Sequence, residues 1–209
     1  MKRFFYPAIT CGLLLILGGC ASSKKTSTGT EIIVKSETPP PVVKAPDAAK
    51  INSDVNYAEL QKKYAAFLKI TPDEITNIKL YQFIDSWLNT PYKWGGMDRH
   101  GIDCSAFMQK LLSDVYGIYI PRTSVEQFFA DWIDRFGSRT ELSEGDLVFF
   151  KTMKGKAISH VGLYLGNHMF VNSSSSKGVS LGSLEDGYWK TKYVAAGRIK
   201  LGKLNKLNP

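Results

Sequence analysis

Two side chains in this 209-residue sequence could act together as a nucleophile and its base: Cys104 in GIDCSAF and His160 in SHVGLYLG. The thiolate of a cysteine is the nucleophilic form, and a neighbouring imidazole can activate it for acyl transfer. Exported proteins usually pair their cysteines or lack them, because compartments outside the cytoplasm are oxidising. A lone exported thiol with a histidine elsewhere in the chain therefore predicts nucleophilic catalysis.

Each of these residues also has a structural explanation. Taken alone, Cys104 is better explained as a buried structural thiol, and His160 as a partly buried histidine with its hydrogen bonds satisfied. A metal site built from Cys104, His160 and another histidine is disfavoured, because the sequence contains no closely spaced pair of ligands. We therefore expect neither a metal nor a cofactor.

The N-terminal segment predicts export and decides whether Cys104 is alone. A basic start precedes the apolar run of residues 9–17, which is too short to cross a bilayer as a helix and has the layout of a secretory signal. The sequence LGGC that follows resembles a bacterial lipobox, which implies cleavage before Cys20 and lipidation of its sulfur. Cys11 lies within the removed residues 1–19, so Cys104 would remain as the free thiol. The alternative is an uncleaved membrane anchor.

The segment after the lipobox predicts a tether. Residues 20–54 comprise the lipidated cysteine and a stretch dominated by Ser, Thr, Lys and Pro, which cannot bury enough apolar surface to fold. A leading helical segment is expected over 55–74, and the domain that carries the two candidate residues over 75–203. We expect a bacterial lipoprotein, held by its N-terminal lipid in the outer membrane or cell envelope and facing the periplasm.

The charge of the chain does not indicate a nucleic-acid partner. The formal net charge is +8 at pH 7. The lysines are scattered, however, and no basic run is interleaved with aromatic residues, as nucleic-acid binding would favour. We therefore expect no nucleic acid among the partners.

Apolar spacing predicts that Cys104 begins a helix. Asp103 is placed as its N-cap and Gly117 as its terminator, and the buried stripe comprises Cys104, Phe107, Met108, Leu111, Leu112 and Val115. The positive end of the helix dipole favours a thiolate in the first turn, which predicts fast alkylation of Cys104 at neutral pH. The backbone N–H of Cys104 is available to an oxyanion.

Capping signals predict the other helices. A short leading helix is expected over residues 55–69, and a second helix from the capping box at 71–74 to the turn before Pro91. A further helix should follow Pro121, capped by Thr123 and Glu126. Its predicted inward residues are Val125, Phe128, Phe129, Trp132 and Ile133.

After Gly145 the apolar period changes from helical to alternating. Five strands are expected, over Asp146–Lys151, Ser159–Leu165, Met169–Ser173, Val179–Leu184 and Val194–Lys200. Helices followed by closely spaced strands indicate an α+β fold with an antiparallel sheet. In the strand that carries His160, the imidazole shares a face with Gly162 and Tyr164, opposite three aliphatic residues, and this position fits a cleft better than the core.

Six stretches occur in an order and at separations that resemble the NlpC-type cell-wall peptidases of the papain-like group: TPYKWGG, GIDCSAF, IPRTS, GDLVFF, SHVGLYLG and FVNSSSSKGV. The resemblance covers roughly residues 80–200, and the single-domain lipoproteins of that family are the most similar. It implies N-terminal helices packed on an antiparallel sheet of about five strands. It also implies a cysteine peptidase that hydrolyses peptidoglycan stem-peptide or cross-link bonds next to a diamino acid. The alternatives are a papain-like amidase or acyltransferase and a non-catalytic wall-binding adaptor.

The resemblance also implies roles for individual residues. Cys104 would be the nucleophile and His160 the general base and then acid, while Tyr92 would orient the substrate or the tetrahedral intermediate. Asp103 and Ser105 would help to bind the amine of the peptide. Joined to the six matches, the Cys–His pair favours catalysis over the two structural explanations.

The third catalytic position departs from the common family pattern, because Asn172 stands where many relatives have a histidine. An asparagine can accept a hydrogen bond from the far nitrogen of His160 and hold the ring, but it carries no charge. A two-residue turn at 166–167 would place Asn172 on the opposite face of the sheet. We therefore predict a three-residue connection or a bulge between these strands.

Overall fold

The computed structural model describes residues 57–200 of the chain. The predicted signal peptide, the lipidation site Cys20 and the tether to residue 54 lie outside the described residues. Within residues 57–200, no helix has both the length and the apolar character needed to cross a membrane.

The helices and strands follow the order that the sequence predicts, with a few additions. Between residues 57 and 200, the α-helices are α1 (Tyr57–Leu68), α2 (Ile78–Trp87), α3 (Cys104–Tyr116), α4 (Ser124–Phe129) and α5 (Gly187–Lys192). The strands of the same range are β1 (Met97–Asp98), β2 (Gly101–Ile102), β3 (Ile133–Phe136), β4 (Leu147–Phe150), β5 (His160–Gly166), β6 (Met169–Ser174), β7 (Gly178–Ser183) and β8 (Tyr193–Ile199).

The main sheet has six strands in the order β3-β8-β4-β5-β6-β7, and all neighbouring pairs are antiparallel. The α+β class and the five predicted strands are confirmed. The additional strand, β3, pairs with β8 at one edge of the sheet, and β1 and β2 form a separate two-stranded hairpin. These three strands are short, so they give no sustained alternation by which a sequence pattern could reveal them.

The sheet separates two apolar layers, as the alternation in β5 predicts. Val161, Leu163 and Leu165 face the main core, where α3 packs on the sheet and α2 packs on both α3 and α1. Tyr164 faces a smaller cluster on the other side, together with Phe150 and Phe170, which Trp189 of α5 covers in part. His160 lies on this second side, next to the smaller cluster rather than within the main core.

The predicted second helix is interrupted. The capping box at Thr71 and Glu74 forms, but it caps only a 3₁₀ turn over Pro72–Glu74. The α-helix begins at Ile78, where the side chain of Asn77 accepts a hydrogen bond from the Leu80 N–H. The prediction of one continuous helix was wrong, because Asn77 supplies a second N-cap and starts the helix again.

The helix after Pro121 is shorter than predicted and turns a different face inward. The capping box of Thr123 and Glu126 forms, but α4 ends at Phe129. Val125 and Phe129 are exposed, whereas Ser124 and Gln127 are buried. The predicted inward positions of Val125 and Phe129 were wrong, because hydrogen bonds from the Gln127 amide to the carbonyls of Ser105 and Pro121 fix the orientation of the helix.

Candidate active site

Cys104 is a free thiol at the first position of α3, and α3 packs against β5 and β6. Asp103 caps the helix as predicted, since its Oδ1 accepts from the Ala106 N–H at 2.8 Å. Gly117 ends the helix in the left-handed conformation, with φ of 69°. The backbone N–H of Val161 lies close enough to the Cys104 sulfur to lower the pKa of the thiol. The nucleophile candidate therefore lies against the residue that follows His160.

Burial makes the resting form of Cys104 a neutral thiol. The side chain is 7% exposed, and desolvation raises its pKa to about 11, with a further rise from the negative charge of Asp103. The N–H groups of Val161, Ser105 and Cys104 itself lower the pKa, but by less. The expectation that the helix terminus holds a thiolate was wrong, because burial outweighs the favourable N–H groups at that end.

A bulge brings His160 and Asn172 to the same face of the sheet. Strands β5 and β6 pair Tyr164 with Phe170 and then Gly166 with Met169, which leaves Leu165 without a partner. Continuing the pairing beyond Leu163 and Val171 sets position 160 opposite position 174, and position 172 shares the face of 174. The predicted bulge is confirmed, and a two-residue turn at 167–168 with two positive φ angles closes the hairpin.

The imidazole of His160 is held by the side chain of Asn172. The Nε2 of His160 lies 3.1 Å from Oδ1 of Asn172, and Nδ2 of the same amide donates to the carbonyl of Ser180 at 3.3 Å. This second bond fixes the orientation of the amide, so an oxygen faces the ring. Because an amide oxygen only accepts, Nε2 carries the proton and Nδ1 is the basic nitrogen.

Aromatic rings pack against the imidazole of His160. The ring of Trp189 stacks on the imidazole at a centroid distance of 5.0 Å and an angle of 25°, and Phe150 lies 5.8 Å away. Burial lowers the pKa of His160 to about 4, although the hydrogen bond with Asn172 raises it. The imidazole of His160 is therefore neutral at pH 7.

Sequence reasoning missed Trp189, which lies on the unpredicted helix α5. That helix has six residues, too few for a periodic pattern, although its N-cap Asp186 is visible in the sequence and accepts from the Tyr188 N–H at 2.8 Å. An N-cap residue two positions before an aromatic pair was the available signal.

Tyr92 shares the electrostatic surroundings of Cys104 and Asp103. Burial raises the pKa of Tyr92, and the neighbouring Cys104 and Asp103 raise it further. Tyr92 also lines the same cleft as His160 and Asn172. The structure therefore brings these four predicted residues together: Tyr92, Cys104, His160 and Asn172.

The carboxylate of Asp103 is occupied by groups of the protein. In addition to capping α3, it accepts from both terminal nitrogens of Arg122, from the Ser105 hydroxyl and from the Gly95 N–H. Burial alone would raise the pKa of Asp103, but the hydrogen bonds and charge of Arg122 and the Ala106 N–H hold it below the ordinary value.

A cleft of about 820 Å³ opens beside His160 and Asn172. Its wall includes Tyr92, Trp94, Tyr188 and Trp189, a group of serines at 174–176, 180 and 183, and the charged residues Lys177 and Asp186. Cys104 is not part of the cleft wall, and its sulfur lies beneath the surface. In residues 57–200, no group of three His, Cys, Asp or Glu side chains could hold a metal ion.

Comparison with known proteins identifies relatives of the folded part and of most of the chain. The NlpC/P60 family model matches residues 89–198. A probable endopeptidase NlpC homolog of Haemophilus influenzae is 30% identical over 195 residues, which cover 91% of this chain and 96% of that protein. The murein DD-endopeptidase MepS/murein LD-carboxypeptidase of Escherichia coli K12 is 39% identical over 118 residues, covering 56% of this chain and 60% of that protein.

A solved structure shares the fold. The crystal structure of a Staphylococcus aureus protein of the NLP/P60 family, described as similar to lipoprotein, aligns with a TM-score of 0.52 and 28% identity. The alignment covers 59% of this chain and 41% of that protein. The similarity therefore concerns a part of each chain.

Proposed function

Because this chain belongs to the NlpC/P60 family and is a peptidoglycan endopeptidase, we propose that it hydrolyses stem-peptide or cross-link amide bonds next to a diamino acid. Cys104, His160 and Asn172 are the proposed catalytic residues. One arrangement carries this assignment: Nε2 of His160 lies 3.1 Å from Oδ1 of Asn172, and the N–H of Val161, the residue after His160, lowers the pKa of the Cys104 thiol.

The two neutral side chains react in a concerted step. As the Cys104 sulfur attacks the amide carbon, its proton passes to Nδ1 of His160, so no buried ion pair has to exist beforehand. The carbonyl oxygen becomes an oxyanion, for which the backbone N–H of Cys104 and the hydroxyl of Tyr92 are the proposed donors.

The intermediate then breaks down through His160. The imidazolium gives its proton to the leaving amine, and a thioester to Cys104 remains. A water molecule, deprotonated by Nδ1, attacks the thioester and releases the carboxylic acid product and the free thiol.

Asn172 orients the base without supplying charge. Replacing Asn172 with Ala leaves the buried Nε2–H of His160 without its acceptor. The proton is then no longer held on Nε2, and the ring is no longer held in one orientation. We expect Asn172→Ala to lower kcat about tenfold, a smaller loss than the roughly hundredfold or greater loss expected for His160→Ala. Steady-state kinetics on purified muropeptides measures both, and equal losses would argue against a purely orienting role.

The cleft wall supports a zwitterionic substrate. Lys177 and Asp186 offer opposite charges on the same wall, and the side chain of a diamino acid such as diaminopimelate carries an ammonium and a carboxylate. The serines of the same wall supply hydroxyl groups for peptide amides. These features favour a peptide with a diamino acid beside the scissile bond.

The contacts of Asp103 do not favour the amine-binding role that the resemblance implies for Asp103 and Ser105. Arg122 neutralises the carboxylate, and the Ser105 hydroxyl is bonded to both of them. A substrate ammonium would have to compete with a guanidinium that is already in place. We therefore propose that the cleft wall, rather than this pair, provides substrate recognition.

Anchoring through a lipid on Cys20 is also part of the proposal. It is supported by the lipobox-like LGGC and by the proline-rich stretch that follows it. A tether of this kind would let the domain act on peptidoglycan from a bacterial membrane surface. Mass spectrometry of the mature protein tests the anchor: a diacylated N-terminal Cys20 is expected, and an unmodified Met1 would contradict it.

Digestion of purified muropeptides, with products identified by mass spectrometry, tests the reaction class. We expect new free α-amines within the stem peptide or the cross-link. Release of intact stem peptides from the sugar would instead indicate an amidase. Absence of any product from a folded protein would indicate a wall-binding adaptor.

A further inference from the structure

Arg122 forms a three-point contact with the residues on either side of the nucleophile. Its Nη2 donates to Oδ2 of Asp103 at 2.6 Å, and its Nη1 donates to Oδ1 of Asp103 at 3.0 Å and to the Ser105 hydroxyl at 2.9 Å. The two parallel bonds to the carboxylate are the bidentate geometry that the guanidinium allows and an ammonium does not. Arg122 thus connects the residue before Cys104 with the residue after it.

Gln127 secures the segment that carries Arg122. Its Nε2 donates to the Ser105 carbonyl at 3.1 Å and to the Pro121 carbonyl at 2.8 Å, and the side chain is fully buried. The capping box of Thr123 and Glu126 begins the short helix α4 and places Gln127 on its inner face. The backbone on both sides of Arg122 is therefore held against the first turn of α3.

Without a compensating positive charge, the carboxylate of Asp103 would oppose the development of negative charge on the Cys104 sulfur. Asp103 directly precedes Cys104, and its negative charge raises the pKa of the thiol. Arg122 lies close enough to interact electrostatically with both groups. Tyr92 also interacts electrostatically with Cys104 and Asp103, and His160 directly precedes Val161, whose N–H lowers the pKa of the thiol.

We propose that Arg122 is a positioning residue that clamps the 103–105 turn and neutralises Asp103, so that negative charge can develop on the Cys104 sulfur during attack. The inference rests on the proposed function in that Cys104 is taken as the nucleophile. It assigns Asp103 and Ser105 to the clamp rather than to the substrate. With Arg122 absent, the negative charge on the attacking sulfur would develop beside an uncompensated buried carboxylate.

The rate of alkylation of Cys104 tests this inference without any peptidoglycan substrate. Iodoacetamide labelling at pH 8, quantified at Cys104 by peptide mass spectrometry, reports the fraction of thiolate. We expect Arg122→Met to lower the rate about tenfold, since a bare neighbouring carboxylate raises a thiol pKa by roughly one unit or more. Arg135→Met, which removes an arginine that bonds the Phe128 carbonyl, is the matched control and should leave the rate unchanged.

A double variant separates charge compensation from a merely structural role. We expect Asp103→Asn to react faster than the wild type, because asparagine still caps α3 but carries no charge. Combining Asp103→Asn with Arg122→Met should restore the rate to within about threefold of the wild type. The inference is overturned if Arg122→Met reacts like the wild type, or if the double variant is as slow as Arg122→Met.

Asp103→Asn keeps the test decisive if Arg122→Met does not fold. An unchanged or slower alkylation rate in that variant would also overturn the inference. On muropeptides, Arg122→Met should lower kcat with little change in KM, because the clamp acts on the nucleophile and not on the substrate. The alkylation series supports the clamp even if the wild type releases nothing from muropeptides, a result that would overturn the proposed substrate alone.

Discussion

Protonation of His160 should control the stability of the folded domain in mild acid. The imidazole is buried and neutral, and its pKa is lowered from 6.5 to about 4. Between these two values the unfolded chain binds a proton that the folded protein does not, so stability is full above pH 6.5 and is lost as the pH falls towards 4. Each pKa unit is worth about 1.36 kcal/mol, which makes the loss about 2 kcal/mol at pH 5 and about 3 kcal/mol at pH 4.

The variant His160→Gln isolates this contribution. Glutamine does not titrate in this range, whereas the carboxylates, including Asp103 with its lowered pKa, are common to both proteins. Urea unfolding followed by tryptophan fluorescence gives the free energy of unfolding of each protein at several pH values. We expect the free energy of unfolding of the wild type, relative to that of the variant, to fall by about 2 kcal/mol between pH 7 and pH 5. A difference that stays constant within about 0.5 kcal/mol would refute the buried neutral histidine.

Three further predictions concern the surroundings of the site. Trp189→Ala should admit water to His160 and move the acidic limb of the pH profile of kcat/KM up from about pH 4 towards the ordinary pKa of histidine. Trp189→Phe should keep that limb at low pH. An unmoved limb in the alanine variant would exclude the shielding role of the Trp189 ring. Cys104 should react with iodoacetamide at pH 7 about a hundredfold more slowly than a model thiol, and its alkylation rate should show an inflection near pH 11 when the pH is varied. An inflection below pH 9 would contradict the conclusion that burial raises the pKa of the thiol. Gly162→Ala should cost about 1–3 kcal/mol in urea unfolding, because its Cβ would lie 2.7 Å from both a ring and a carbonyl oxygen of β6. The control Gly187→Ala has open space around its Cβ, and equal losses in the two variants would count against the close approach at Gly162.

Local signals explain why the helix that begins at Cys104 could be predicted from the sequence. Asp103, the apolar stripe and Gly117 act within α3 itself, and each takes the predicted position. The bulge before Gly166 was also predictable, because strand alternation and the need for His160 and Asn172 to share a face leave few alternatives.

What the sequence did not predict depends on contacts between distant segments. Arg122 lies 19 positions from Asp103, and no periodicity links the two residues. The pKa of Cys104 is set by its burial beneath the sheet, which a helix pattern does not reveal. Trp189 reaches His160 from a six-residue helix that follows the sheet hairpin. Where local pattern and tertiary environment disagreed, as at the Cys104 thiol, the environment determined the chemistry.

The central claim is that Cys104 is the nucleophile of a peptidoglycan endopeptidase. Its most direct test compares product release from purified muropeptides by the wild type and by Cys104→Ala, with urea unfolding as the check on folding. We predict new α-amines in the wild-type digest and none above background with the folded Cys104→Ala protein. Release by Cys104→Ala at the wild-type rate would contradict the account.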